Sequence, residues 1–208
     1  MINLSEPEII KILEGRLSPH RLQHSLEVAR SAAELARIYG EDPELSYKTG
    51  LLHDYAKGIP APELIAMAAA HDLIEDEIEK KVPDLLHAPV GAHLLRVDLG
   101  ITDAAVLEAV KVHTMGSLSM SRLDKIIFLA DMIEPGRDYP GQSRLDCLAR
   151  RDLDQAMLFG LDATIRYCIE QERILHPRTI TVRNHFLEVI KSHTADKVRL
   201  DSDGSSKS

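Results

Sequence analysis

Helix starts and stops recur so regularly along this chain that they leave little room for any other element. Ser18 followed by Pro19 is one such start. A short polar side chain can accept from the unpaired amides of a first turn, and proline there lacks an amide that would go unpaired anyway. The helix it opens carries Leu22, Leu26, Ala29, Ala33 and Ala36 on one side and stops at Gly40. Asp42-Pro43 repeats the signal and launches PELSYKTGLLHDYAK, expected to end near Gly58-Ile59-Pro60. Further helices are expected over 62–70, over the short charged stretch 75–81, over 89–99 closed by Gly100, and over 103–113 capped by Thr102. After a turn at Gly116, SRLDKIIFLADMIEP makes another helix that Pro135-Gly136 ends, and 137–144 reads as a loop. Two last helices, 151–172 and 179–192, join across His176-Pro177. The best strand candidate, TITV at 179–182, is too short to outweigh a helix entry. The expected fold class is therefore all-α, one helical bundle over residues 1–193. The tail 194–208 lacks apolar anchors and is expected to be unstructured.

Charge narrows the partners. Lys and Arg number 25 against 33 Asp and Glu, a formal net charge of −8 in 208 residues. That balance opposes broad binding of nucleic acid or anionic membrane, yet a local basic pocket can still hold a small phosphate compound. No apolar run approaches the roughly 20 residues of a membrane helix. The opening MINLSEPEIIK carries acids where a secretion signal would carry a basic start, so the expected location is the cytoplasm. Cys147 and Cys168 have no CxxC partner and are expected to be reduced thiols in or near the core.

The ten histidines need a reason, because imidazole is a costly choice for a core. His53-Asp54 ends the apolar stretch in LLHDYAK. Neighbours on a helix diverge by about 100°, so both side chains can meet one ion only by bending toward a shared cavity. A bare HD dipeptide is as readily a helix-end histidine beside a solvated acid; its company decides. His24 lies mid-helix on an alanine and leucine face, and Asp131 interrupts KIIFLADMIEP, where a carboxylate is expensive unless paired or bound to a cation. Imidazole with carboxylate suits iron, manganese, zinc or a similar divalent ion. His20, one turn before His24, sits in the first helical turn and is expected at the surface, as are His71 and His193; His93 and His185 are expected at the core edge. The charged runs 75–81 and 150–154 read as solvated faces, and Leu64, Met67, Ile126 and Phe128 as core.

The order His24, His53-Asp54, His87, His113, Asp131 resembles the HD-domain metal-dependent phosphohydrolase superfamily. The phrases SPHRLQHSLEVA, GLLHDYAK, LLHAPVGAHLL, VHTMG and SRLDKIIFLADMIEPGRDYPG are similar to those of its YqeK-type members, bacterial enzymes that split diadenosine tetraphosphate symmetrically into two ADP. The resemblance implies a single HD-type bundle in which His24, His53, Asp54 and Asp131 hold a metal, with iron the family's expectation and manganese or another divalent ion a substitute. Asp54 would bridge to any second ion, and His87 and His113 would be its ligands or direct partners of phosphate. Nucleotide contacts are implied at Arg21, Lys57, Thr114, Arg137 and His176 in the turn 172–177, with the nucleotide also lying against His24, Asp54, His87, His113 and Asp131. Catalysis would fall to Asp54, Lys57, His87 and His113. The expected partners are the dinucleoside tetraphosphate and ADP, with no nucleic acid, no membrane and a homodimer as the assembly. Two other readings fit the same residues: hydrolysis of a nucleoside monophosphate, guanosine alarmone or cyclic dinucleotide, and a non-catalytic nucleotide-binding module.

Overall fold

The cap signals place the helices. In the computed structural model, which describes residues 2–204 and side chains as far as residue 193, Ser18 Oγ accepts from the Arg21 amide at 3.3 Å and opens α2 (Pro19–Tyr39). Gly40 closes it in the left-handed conformation, φ 70°. Asp42 caps α3 (Pro43–Leu52) through the amides of Glu44 and Leu45. Ahead of them lies α1 (Glu6–Glu14), which the periodicity did not reveal although Ser5 and Glu8 form a capping box at its start. The chain continues through α4 (Ala61–Ala70), the short α5 (Glu77–Lys81), a 3-10 turn (Pro83–Leu86) and α6 (His87–Leu99). Then come α7 (Ala104–Val112), α8 (Arg122–Ile133), α9 (Gln142–Ala149), α10 (Leu153–Glu170) and α11 (Pro177–Gly204). No strand occurs among the described residues, and none of their helices is long and apolar enough to cross a membrane.

Helix α2 is the pillar. One side of it, with Val28, Ala32, Leu35 and Ala36, packs into a core shared with α8, α9, α10 and Phe186 of α11. Its other side, through Ala29, joins Leu51, Leu52, Tyr55, Leu95 and Val110 in a second core beneath α1, α3, α6 and α7. A smaller core of Ala56, Leu64, Ala68, Leu86 and Val90 seats α4 against α6. Gly50 lets α3 lie almost backbone to backbone on α2: a Cβ there would stand 3.0 Å from Ala29 Cα and 3.2 Å from its nitrogen. That approach brings the His53 ring to 5.3 Å from the His24 ring, centroid to centroid.

Several expectations change. Helix α3 ends at Leu52, not near residue 58. From there the amides of His53, Tyr55, Lys57 and Ile59 each reach back only three residues, to Gly50, Leu52, Asp54 and Ala56. This chain of tight turns is wedged against residue 16, where a Cβ on Gly58 would come within 2.3 Å of the Arg16 carbonyl oxygen. His53 keeps helical dihedrals as the C-cap of α3, φ −55° and ψ −37°, and Asp54 is the first residue beyond it. Asp103, not Thr102, caps α7, its carboxylate taking the Ala105 amide at 3.2 Å. The expected loop 137–144 gives way to α9 at residue 142, which begins on Gly141 at φ 99° without a side-chain cap and so leaves no start signal. Helix α11 runs on to Gly204 through a stretch without Pro, past the expected end at 192 and into the expected tail; residues 205–208 lie outside the described ones. Cys147 is exposed and Cys168 half-buried, so Cys147 is not a core thiol.

The run 75–81 is not simply a solvated face. Glu79 is buried, accepts from the Glu75 and Asp76 amides, and lies 3.7 Å from His176 Nε2. Glu75 pairs with Arg178 and, at 3.1 Å, with Lys111, so α5's flank is tied to both α11 and α7. In the other charged run, Asp152 caps α10 and Leu153 is buried.

The close packing at Gly50 is testable. Gly50→Val forces α3 away from α2 and is expected to cost about 1–3 kcal/mol of folding stability. Chemical denaturation checks this, with a surface control such as Glu63→Gln remaining near wild type.

Candidate metal and phosphate site

Four imidazoles reach one buried cleft from different backbones: His24 from the middle of α2, His53 from the end of α3, His87 from the start of α6 and His113 from the end of α7. Three of them are fixed in the same way. Nδ1 of His53 lies 2.7 Å from the Gly50 carbonyl, Nδ1 of His113 lies 2.7 Å from the Val110 carbonyl, and Nδ1 of His87 meets the Asp84 carbonyl. A carbonyl can only accept, so each Nδ1 carries a hydrogen and each Nε2 turns toward the cleft, offering a lone pair whenever its ring is neutral.

The carboxylates sit among these lone pairs. Asp54 Oδ1 lies 3.1 Å from His87 Nε2 and 3.8 Å from His113 Nε2, while Oδ2 lies 3.5 Å from His53 Nε2 and 3.8 Å from His24 Nε2. Asp131 Oδ1 is 3.0 Å from His24 Nε2 and 3.9 Å from His53 Nε2. Ligand atoms of His24, His53 and Asp131 lie within 4.8 Å of one another, and so do those of His53, Asp54 and His113. His53 belongs to both groups.

These residues fit a divalent cation. His24 Nε2 and His53 Nε2 are buried without a hydrogen-bond partner, which is costly for a polar atom unless something else takes the lone pair. His87 Nε2 and His113 Nε2 face each other at 3.0 Å with both Nδ1 atoms already donating, so a cation or a shared proton is needed to offset the repulsion.

Cations rim the cleft. Arg21 Nη1 donates to Asp54 Oδ2 at 3.0 Å. Arg137 pairs with the Asp131 carboxylate, and its Nε donates to the Asp131 carbonyl at 2.8 Å. Lys57 Nζ donates to Asp84 Oδ2 at 2.8 Å and stands 3.4 Å from His87 Nδ1. Burial alone would raise the Asp54 carboxyl, but the neighbouring His53, helped by His87, holds it well below the usual carboxylate range. Asp131 is likewise held low, because the adjacent His24 ring and the charges of His53 and Arg137 outweigh burial. Both stay anionic, as metal ligands must.

The HD domain family matches over residues 21–136, a span that contains all six of these histidines and aspartates. The chain belongs to the HD domain family. A relative from Halalkalibacterium halodurans is 35% identical over 184 residues, 88% of this chain and 98% of that protein, and bears the name bis(5'-nucleosyl)-tetraphosphatase, symmetrical. A Bacillus subtilis protein of the same name is 32% identical over 87% of this chain and 97% of its own. The crystal structure of a Clostridium acetobutylicum protein, described as a predicted HD superfamily hydrolase involved in NAD metabolism, superimposes with a TM-score of 0.85 at 37% identity, covering 89% of this chain and 98% of that one.

His176 lies outside the matched span and stands apart from the six. It is buried at the start of α11, its Nδ1 accepts from the Arg178 amide at 3.1 Å, and its described polar neighbours are Arg178 and Glu79. Thr114 follows His113 and is half-buried. His20 and His71 are exposed, and His93 stacks on His71 at 4.0 Å between ring centroids. Two participants escaped sequence reasoning. Glu134 is buried with Oε1 3.1 Å from His24 Nδ1, and Asp84 holds both Lys57 and His87. Glu134 had left a signal: an acid at the C-terminal end of a helix opposes the helix dipole.

Acid and base act on different histidines. Burial, reinforced by the His87 and His53 charges, pushes His113 down to about 3. Burial would lower His53 too, but Asp54 and Asp131 overcome it and its value is raised. An unfolded histidine titrates near 6.5. Below that value the unfolded chain takes up a proton that His113 refuses until about pH 3, so stability falls on acidification through this window. Above it, His53 keeps a proton that the unfolded chain has lost, so its contribution is present below 6.5 and fades as the pH rises through its folded value. Metal-free protein is therefore expected to be most stable near pH 6.5 in pH-dependent denaturation, with His113→Gln flattening the acid limb and His53→Gln the alkaline one.

Proposed function

We propose that this HD domain hydrolyses diadenosine tetraphosphate symmetrically to two ADP, with iron as the preferred divalent ion and manganese as a substitute. The names of relatives that match over nearly their whole length support the substrate. The observation that carries the chemistry is Asp54, whose two oxygens divide between the His24/His53 pair and the His87/His113 pair.

His24, His53, Asp54 and Asp131 are assigned as metal ligands. A divalent ion supplies there the positive charge that a polyphosphate needs and lowers the pKa of water toward neutrality. His87 and His113 bind either a second ion or the phosphates, and with Asp54 and Lys57 they form the catalytic group. Arg21 and Arg137 spend their guanidinium groups on Asp54 and Asp131. Once those carboxylates face a cation, both forks are free for phosphate oxygens, for which their planar geometry is suited. Asp84 holds Lys57 in the same manner from a largely solvent-facing position, and an incoming phosphate can displace it. Thr114 extends the phosphate cradle beside His113, and His176 contributes to the nucleotide wall through the α11 entry. Net reaction consumes one water: its oxygen bonds to an inner phosphorus, the central P–O–P bridge breaks, and both products are ADP.

Protein supplied with iron(II) or manganese(II) is expected to convert diadenosine tetraphosphate to ADP alone. AMP plus ATP, or turnover confined to nucleoside monophosphates, alarmones or cyclic dinucleotides, overturns the assignment. Asp54→Ala should abolish turnover with the helical circular dichroism intact, whereas a pure binding module would keep its nucleotide affinity. Arg137→Ala should raise KM more than it lowers kcat if its fork serves ground-state phosphate binding.

A further inference from the structure

Glu134 is a carboxylate in an awkward place. It is buried, it stands at the C-terminal end of α8 where the helix dipole disfavours an acid, and no expected ligand set includes it. Its backbone leaves the helix there, with ψ at 147°, so the side chain folds back toward α2. Oε1 lies 3.1 Å from His24 Nδ1, and Oε2 accepts from the Gly136 amide. Asp131, one turn earlier, lies 3.0 Å from the other nitrogen of the same ring. The His24 imidazole thus has an acid from α8 or its C-cap beside each of its nitrogens.

The grip is not symmetric in consequence. His24 differs from the other three imidazoles because, being mid-helix, it has no free carbonyl three residues back to take its Nδ1 hydrogen; α2 uses those carbonyls itself. Glu134 does for His24 what Gly50, Asp84 and Val110 do for His53, His87 and His113. The next residues are shaped around it: a Cβ on Gly136 would come within 2.9 Å of Glu134 Oε2.

We infer that Glu134 is a positioning residue that holds His24 in the Nδ1–H form, keeping Nε2 free to ligate the metal. The inference rests on the metal-site reading above and extends it to a residue outside the ligand set. Carboxylates that orient a metal-binding imidazole typically contribute a factor of about 10–100 to metal affinity.

The test uses manganese(II) alone, with affinity read by competition with a fluorescent chelator, and nitrogen NMR of the His24 ring in the metal-free full chain. Glu134→Ala is expected to weaken manganese binding about 10- to 100-fold and to convert His24 from the Nδ1–H tautomer to a mixture. Glu134→Gln keeps an acceptor oxygen and should retain most of the affinity. Gly136→Ala leaves the carboxylate in place but crowds it, and should weaken binding in the same direction; it serves if Glu134→Ala fails to fold. An unchanged tautomer or an unchanged manganese affinity in Glu134→Ala overturns the proposal, as does a loss in Glu134→Gln equal to that in Glu134→Ala. If wild type binds no manganese or iron, the metal-site reading itself fails, and the tautomer measurement still tests the clamp separately.

Discussion

A carboxylate buried among imidazoles sets the terms for everything around it. Asp54 is almost fully enclosed, and an ionised acid in that position is tolerable only if positive charge or strong donors meet both of its oxygens. Four histidines and Arg21 answer that demand. To do so they must arrive from α2, α3, α6 and α7 at once, so the bundle's packing and the cleft's chemistry are one problem. Helix α2 solves most of it by serving two cores with its opposite sides while presenting Arg21 and His24 between them.

Small residues make this convergence possible. Gly50 draws α3 onto α2, and Gly58 lets the turns after Leu52 press against the Arg16 carbonyl. Between these two contacts the backbone changes from helix to a run of three-residue turns. Asp54 sits in that run directly after His53, and the two side chains meet across the cavity with Asp54 Oδ2 3.5 Å from His53 Nε2.

The sequence exposed those parts of the structure that carry a local chemical cost. Proline after a cap residue marked α2 and α3, and an acid inside KIIFLADMIEP marked Asp131, because each is hard to explain otherwise. The hidden parts depended on distant partners. Nothing near Gly141 announces α9, since its start uses no side-chain cap. Glu79 looked solvated because its run is charged, yet it is buried where α11 returns across α5, a contact no local window contains. The end of α3 was misplaced because Gly58 meets residue 16, far away in the chain. His24, His53, Asp54, His87, His113 and Asp131 could be gathered by the order in which they occur, whereas Glu134 and Asp84 act through other residues, and only the unfavourable helix-end position of Glu134 hints at either.

The fastening of α5 to α11 joins two kinds of polar contact that answer differently to the solvent. Glu75 with Arg178 and Lys111 lies near the surface, where dissolved ions compete for such pairs within a Debye length of roughly 8 Å at physiological salt. Glu79 beside His176 is shielded from that competition. Brine therefore weakens the outer stitches of the segment leading to His87 more than it does the buried contact beneath them.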